Sequence, residues 1–374
     1  MTSKRGVWDK IVLDELGKRI TGEIKSREII FLCALGKLVK NADYSSFNLL
    51  IHSESSAGKD YIAKQVLRLF PDADVCERTR ITPRALNYWR PYIKAGKTSW
   101  DGIILYLPDL SDEVMNCEAL KLMCSEGSFV TIVNKGKSKD IEIKGKPVII
   151  TTTASATPTE EIMNRFSIVK LDESEEQTKA IKKMQGNIAR EGIMPSYDGT
   201  IQRILQELKP HKVKIPFAHK ISKVFPSRLI RERRNFNRLL DWIKAVTIFY
   251  QDDKTKHRDG FIDADLDDYD IAKDIFMNLY SGVSEVPLNR RQKDIVKVME
   301  NQNDPLSASD ILSSLGEYIE LRNFRPHLDK LVNIHVLDRF ELRNDFNQPI
   351  IKYRISEEFK EKEPIKLPNS EELR

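Results

Sequence analysis

Apolar positions along the chain follow two rhythms. Over residues 7–46 the spacing is helical: Val7, Ile11, Val12 and Leu16 share one face, and a second helix is predicted over 26–39. From residue 47 the rhythm changes to short apolar runs separated by helical stretches. The runs at 47–51, 73–76, 103–107, 147–152 and 168–171 read as strands, and 61–70 and 112–125 as helices. Thr82-Pro83 marks a helix start, and Ser174 with Gln177 forms a capping box for the helix that follows. Strands alternating with helices predict an α/β fold with a mainly parallel sheet covered on both faces. After residue 195 the strand signal stops, and 200–285 reads as helices alone. Residues 287–356 carry three predicted helices (290–300, 309–315, 321–332). Two strands follow (336–342, 350–355), joined by a turn at 344–348, which is the order of a winged helix. The stretch from residue 357 is charged and contains proline, and is expected to be a flexible tail. The pattern thus divides into 1–46, 47–195, 196–285, 286–356 and 357–374.

Composition narrows the class. The 374 residues are 40% hydrophobic and 31% charged, within the range of soluble globular chains. The longest apolar run, 29–35, is far short of the roughly 20 residues that span a bilayer. Residues 1–15 mix charges of both signs without an apolar stretch, so no signal peptide is expected and the location expected is cytoplasmic, on the nucleoid. Cys33, Cys76, Cys117 and Cys124 show no CxxC spacing, and the six histidines form no HExxH, so a metal bound by soft ligands is not expected. The net charge of +5 is small, but its distribution is uneven. Basic residues concentrate in 135–146, 228–238 and the last third, and acidic ones in 252–270 and after 357. Such a distribution is compatible with nucleic acid. Asp263, Asp265 and Asp267 superficially resemble a calcium loop, but position six is Asp268 where that loop needs glycine.

The most informative segment is 53–60, which follows a predicted strand and opens a helix. Ser55, Ser56, Ala57 and Gly58 are small enough for backbone N–H groups to wrap a phosphate chain, and Lys59 is placed to reach its outer phosphates. The match to a phosphate-binding loop is imperfect. Ser53 stands in place of the first glycine, and Asp60 in place of the Ser/Thr that touches magnesium. A carboxylate there is a magnesium ligand that also repels phosphate oxygens; read blandly, the segment is a serine-rich helix cap. Further on, alternating residues 129–134 and 140–144 flank a Gly/Lys-rich turn at 135–139, a predicted hairpin carrying Lys135, Lys137 and Lys139. These lysines suit a sequence-independent grip on DNA phosphates, though lysine also decorates solvated hairpin tips. In the last unit Arg322, Arg325 and Lys330 lie on the third helix, with Arg339, Arg343, Lys352 and Arg354 around the wing. That third helix is the one such units place in a DNA groove.

The segments SSAGK (55–59), ITPRAL (81–86), GIILYLPDLSDEVMNCEALKLMCSEGS (102–128), IEIKGKPVIITTTASATP (141–158), NRFSIVKLDESEEQT (164–178) and RERRNFNRLLDWIKA (231–245) occur in one order. Together they resemble the AAA+ ATPase domain of minichromosome-maintenance-like replicative helicases, in the forms carried by archaeal and mobile-element genomes. The resemblance covers about residues 45–285. It implies a P-loop AAA+ core with a parallel sheet, an all-helical lid and a C-terminal winged helix. It implies ATP and Mg2+ as cofactors, with Asp60 and Asp109 as metal ligands and Asp109 ending the Walker B strand, where a second carboxylate is replaced by Pro108. Thr152 or Thr153 takes the place of sensor 1. Arg165 takes that of an arginine finger acting on a neighbouring subunit, and Arg231 or Arg234 that of sensor 2. The 129–144 hairpin is then the one that enters a ring channel. The function implied is an ATP-dependent, DNA-translocating, probable-hexamer helicase on single- or double-stranded DNA. The alternative is a hydrolysis-deficient DNA-binding scaffold, loader or regulator acting through its winged helix.

Overall fold

The computed structural model describes residues 4–53, 58–86, 99–124, 129–134, 137–142, 144–153, 158–227, 231–280, 288–300, 302, 304–316, 319–343, 347, 349–360 and 367–374; the side chains of 84, 129, 130, 132–134, 137, 139, 141, 160, 231, 358 and 360 fall outside that description. Seven strands come first in chain order: β1 (Leu49–His52), β2 (Val75–Glu77), β3 (Ile104–Leu107), β4 (Phe129–Asn134), β5 (Lys137–Glu142), β6 (Val148–Thr153) and β7 (Ser167–Lys170). Five of them form one sheet in the order β2-β3-β6-β1-β7, and every pairing is parallel.

Alternation along each strand sends side chains to two separate cores. Leu49, Ile51, Ile104, Tyr106, Val148 and Ile150 join one cluster, and Leu50, Leu105, Leu107 and Ile149 the other. The first core takes the helices Ile24–Leu35 and Arg231–Phe249; the second takes the segment around Asp112–Met115 and Glu118–Cys124. This is why the strands read as continuous apolar runs rather than alternating ones. Every residue from Ser26 to Leu35 is buried, which also explains the unbroken apolar run from Ile29 to Leu35. Trp8 brings the N-terminal segment into the same core, edge-on to Phe31 at 5.3 Å and to Phe249 at 5.7 Å.

Several details depart from the pattern. The helix expected over 112–125 is two helices, broken at Asn116, whose side-chain oxygen accepts from the Thr159 backbone N–H at 2.7 Å. The hairpin turn is shorter than expected: Asn134 pairs with Lys137, so Lys137 and Lys139 belong to β5. Two further strands, β8 (Lys212–Lys214) and β9 (Phe261–Asp263), pair in parallel inside the stretch read as helices alone. With three residues each they are too short to show a period. The final residues are not a loose tail. Leu373 is buried in the first core, and the Pro368 carbonyl accepts from the Tyr269 hydroxyl at 2.8 Å. The charged composition hid two apolar anchors, Leu367 and Leu373.

One buried ionic cluster ties this half together. Asp268 is fully buried and accepts from Lys254 and, at 3.0 Å, from the Thr247 hydroxyl, while Lys254 also pairs with Asp265 at 2.8 Å. Lys4 of the N-terminal helix pairs with both aspartates. Burial raises the Asp268 carboxyl, and Lys254 opposes it. Lys254→Ala would leave the buried Asp268 with Lys4 as its remaining ion-pair partner and is expected to lower stability by about 3 kcal/mol, read as a fall in the urea midpoint at unchanged slope.

Residues 288–360 build a third core around Ile295, Ile311, Phe324, Leu328 and Tyr353. Its helices are Arg290–Glu300, Ala308–Ser314 and Leu321–Asn333. Strands β10 (Leu306–Ser307), β11 (Leu337–Arg343) and β12 (Pro349–Ile355) form an antiparallel sheet in the order β10-β12-β11. Met163 of the central domain packs against this core, and Lys330 meets Asp112 at 3.0 Å. No helix among the described residues is long and apolar enough to cross a membrane.

Candidate phosphate-loop site

In a parallel sheet, loops at the carboxyl ends of the strands come together, and ligands bind there. Four strand ends supply the polar groups here: β1 leads into Ser53 and Lys59, β3 into Asp109, β6 into Thr152 and Thr153, and β7 into Glu173. Gly58 has φ +82°, a conformation only glycine adopts at no cost, and it caps the helix Lys59–Leu67. Ser55, Ser56 and Ala57 lie outside the described residues.

Lys59 is buried, and its Nζ donates to the Ser53 carbonyl at 3.0 Å, bridging the two ends of the loop. Burial lowers its proton affinity, opposed by the charges of Asp60, Asp109 and Glu173. Ser53 donates its hydroxyl to Glu173 Oε1 at 3.0 Å.

Asp60, one residue into the helix, accepts at Oδ1 from Thr152 Oγ1 at 2.6 Å and from the Tyr106 hydroxyl at 3.0 Å. Thr152 Oγ1 in turn accepts from the Asp109 backbone N–H at 2.8 Å. Asp109 can present that N–H because it sits at φ +48°, which aspartate tolerates better than most residues. The two threonines differ in their partners: Thr152 joins Asp60 and Asp109, whereas Thr153 donates to the Leu110 carbonyl at 3.3 Å. Asp112 and Glu113 start the short helix after Asp109 and belong to its first turn, as expected from the dipole. Asp60, Asp109 and Thr152 offer only hard oxygen donors, the set magnesium takes when phosphates and water complete its shell. Among the described residues no group of three or more His, Cys, Asp or Glu gathers for a metal.

The remaining expected residues fall elsewhere. Arg165 follows the helix Glu160–Met163, and its Nη1 meets Glu161 at both the carbonyl and Oε1, each at 3.0 Å. Arg234 is exposed on the helix Arg231–Phe249. The Arg231 side chain, residue Lys135, and the side chains of Lys137 and Lys139 lie outside the described residues. Arg322 and Arg325 are exposed, and Lys330 is half-buried against Asp112.

Four residues that the pattern did not single out belong to the surroundings. Tyr106 is fully buried; burial, then the Asp60 charge, push its phenol far above the usual value, so it stays a donor. A hydroxyl-bearing ring in an otherwise aliphatic strand was the available signal. Glu173 had none, since it is one acid among four in 172–176. His52 ends β1 and is buried, its Nδ1 without a hydrogen-bond partner; burial lowers its proton affinity, and Lys293 adds to that. Arg27 is buried, with Nε and Nη1 unpaired. It lines a cavity of about 480 Å3 together with Thr21, Gly22, Met184 and Ile188. Beyond the cavity lining, Glu23 accepts from the Asp172 N–H at 2.8 Å, and Tyr61 on the helix Lys59–Leu67 donates to the Arg19 carbonyl at 2.9 Å.

A family model described as the MTBMA_p00010 P-loop domain matches residues 4–209, just over half of the chain. No curated protein matches it.

Proposed function

Because this chain belongs to the MTBMA_p00010 P-loop domain family, we propose that it binds ATP at Lys59 and uses hydrolysis to move DNA as a ring-forming AAA+ helicase of the minichromosome-maintenance-like type. The observation that carries this reading is the convergence of Lys59, Asp60, Thr152 and Asp109 on the ends of adjacent strands β1, β3 and β6. A basic hairpin, β4–β5, leads directly into β6. A conformational change at the Thr152 end of β6 has a short covalent path to that hairpin.

In this scheme Lys59 leaves the Ser53 carbonyl for the outer phosphates. Asp60 and Asp109 would hold Mg2+, which neutralises charge on the transferring phosphoryl group. Thr152 orients what lies between them. Arg165 serves the neighbouring subunit's nucleotide, and Arg231 or Arg234 the subunit's own from the helical lid. The cavity beside Arg27 has room for the base. The unit of 288–360 acts as a winged helix, touching DNA through Arg322 and Arg325.

The deciding experiment is ATP turnover with and without single-stranded DNA, beside Lys59→Ala. Turnover that rises with DNA and vanishes in the variant is expected; an inactive parent protein would remove the motor. The second reading, a hydrolysis-deficient scaffold or loader, is favoured by one observation: a single carboxylate, Asp109, ends the β3 turn next to Pro108. Loss of DNA affinity only when residues 287–374 are deleted would support it. The hairpin gives a separate test. Replacing Lys135, Lys137 and Lys139 together by alanine should reduce the slope of log affinity against log salt by about 2 on single strands, since each phosphate contact contributes about 0.7.

A further inference from the structure

The cavity of about 480 Å3 beside Arg27 is lined on one side by the segment 17–22. On another side stands the helix Glu175–Glu191, whose Met184, Asn187, Ile188 and Glu191 line it at helical spacing. The two sides are pinned together: the Thr21 hydroxyl donates to Met184 Sδ at 2.7 Å, and Gln177 Nε2 donates to the Thr21 carbonyl at 2.8 Å. Arg27 lines the cavity while only 3% exposed, and its Nε and Nη1 have no hydrogen-bond partner. The acids that the sequence places beside it are engaged elsewhere. Glu23, four residues before, accepts from the Ser26 hydroxyl at 2.7 Å and from the Asp172 N–H at 2.8 Å, and Glu28 accepts from Arg5 at 3.0 Å. Gly17 leaves room for the guanidinium, since a Cβ there would stand 3.2 Å from Nη1. Burying donors without acceptors costs free energy, and a ligand that brings acceptors recovers it.

We infer that this cavity reads the base of the nucleotide and prefers guanine to adenine, with Arg27 donating to O6 and N7 and Glu191 accepting from N1–H and the 2-amino group. The inference rests on the reading that the loop after β1 holds a nucleotide, and it adds which purine that site favours. The cavity wall is tied to that loop's helix: Arg19, between the lining residues Lys18 and Ile20, accepts at its carbonyl from Tyr61 of the helix Lys59–Leu67 at 2.9 Å. A guanidinium has donors only. Guanine turns two adjacent acceptors toward such a fork, whereas adenine puts an amino donor where O6 would be. On the neighbouring edge guanine offers two donors to a carboxylate, and adenine offers an acceptor. Glu191 is available for that role, because its pair with Arg190, at 3.0 Å, is exposed and weak. Ile20, Met184 and Ile188 give the ring apolar surface to lie against. Adenine still fits, so ATP remains a ligand, but with one donor set facing another.

The test is calorimetric titration of the full chain with the magnesium complexes of GDP, inosine diphosphate and ADP, which avoid turnover. GDP should bind about 10–100-fold more tightly than ADP, the discrimination of one bidentate pair. Inosine diphosphate, which keeps O6 and lacks the 2-amino group, should fall between them. Arg27→Met removes the donors at similar length and should narrow the ratio of GDP to ADP affinity to about threefold or less, through loss of GDP affinity. Its melting temperature should hold or rise, because unpaired buried donors are gone. An arginine with a merely structural role would lower the melting temperature and leave the ratio alone. Glu191→Ala, at an exposed position, should bring GDP and inosine diphosphate to within about threefold of each other. ADP binding as tightly as GDP or more so, with both lost in Lys59→Ala, overturns the inference and leaves the nucleotide site standing. A GDP preference that survives Arg27→Met also overturns it. Parent protein that binds none of the three overturns both readings. Should Arg27→Met fail to fold, the parent's ranking and the Glu191→Ala ratio still decide.

Discussion

Lys59→Ala yields a folded protein that has lost nucleotide, with affinity for magnesium–ATP down by about 100-fold or more. Lys59 carries its charge in the field of Asp60, Asp109 and Glu173, and its Nζ already spans the loop to the Ser53 carbonyl. Removing it takes away the one side-chain charge opposing the phosphates, and at intermediate dielectric that attraction is worth about 3–4 kcal/mol. The fold should survive. Burial lowers the lysine's proton affinity, so the charge is a burden on the folded state rather than a support. The loss of one hydrogen bond, about 1 kcal/mol, is offset in part by relief of that burden. Circular dichroism and a melting curve beside the calorimetric titration check both halves. A variant that binds as well as its parent would show that the phosphates lie elsewhere.

Arg165→Ala gives the second large effect, in turnover rather than binding. Such a guanidinium, when it reaches the nucleotide of the next subunit, is worth about 10³–10⁵ in rate. In the isolated chain Arg165 is held by Glu161, which is itself paired with Lys121 at 2.8 Å. These are partly exposed pairs of small energy, so the arginine is released at little cost when a neighbour docks. DNA-stimulated turnover should fall by about 10³-fold while affinity for ATP in the single subunit is unchanged. Mixing the Arg165→Ala and Lys59→Ala proteins provides the control. At seams where an intact Lys59 faces an intact Arg165, a fraction of the parental rate returns. Absence of any recovery, with both variants folded and assembled, would place the arginine outside the reaction.

The central sheet was legible because fully buried parallel strands leave continuous apolar runs, and each of the five runs corresponds to a strand. The loop around Lys59 was legible because small residues between a strand and a helix are uncommon without a reason. What escaped was the pairing of distant groups. Thr152 and Thr153 are indistinguishable along the chain, and only the parallel register, which sets Leu107 beside Thr151, places Thr152 over Asp60. Tyr106 looked like a core aromatic, and it is one; its hydroxyl matters because the ring points toward the Lys59 helix. Strands β8 and β9 escaped because three residues carry no period, and the final turn escaped because one leucine among charges, Leu373, does not register as a core.

Met163 packs on the core of the C-terminal unit and stands two residues before Arg165. Tension in that unit thus arrives within two peptides of the guanidinium. By thermodynamic reciprocity, a ligand of the C-terminal unit that shifts this packing and so alters a second ligand's affinity for the central domain has its own affinity altered by the same factor.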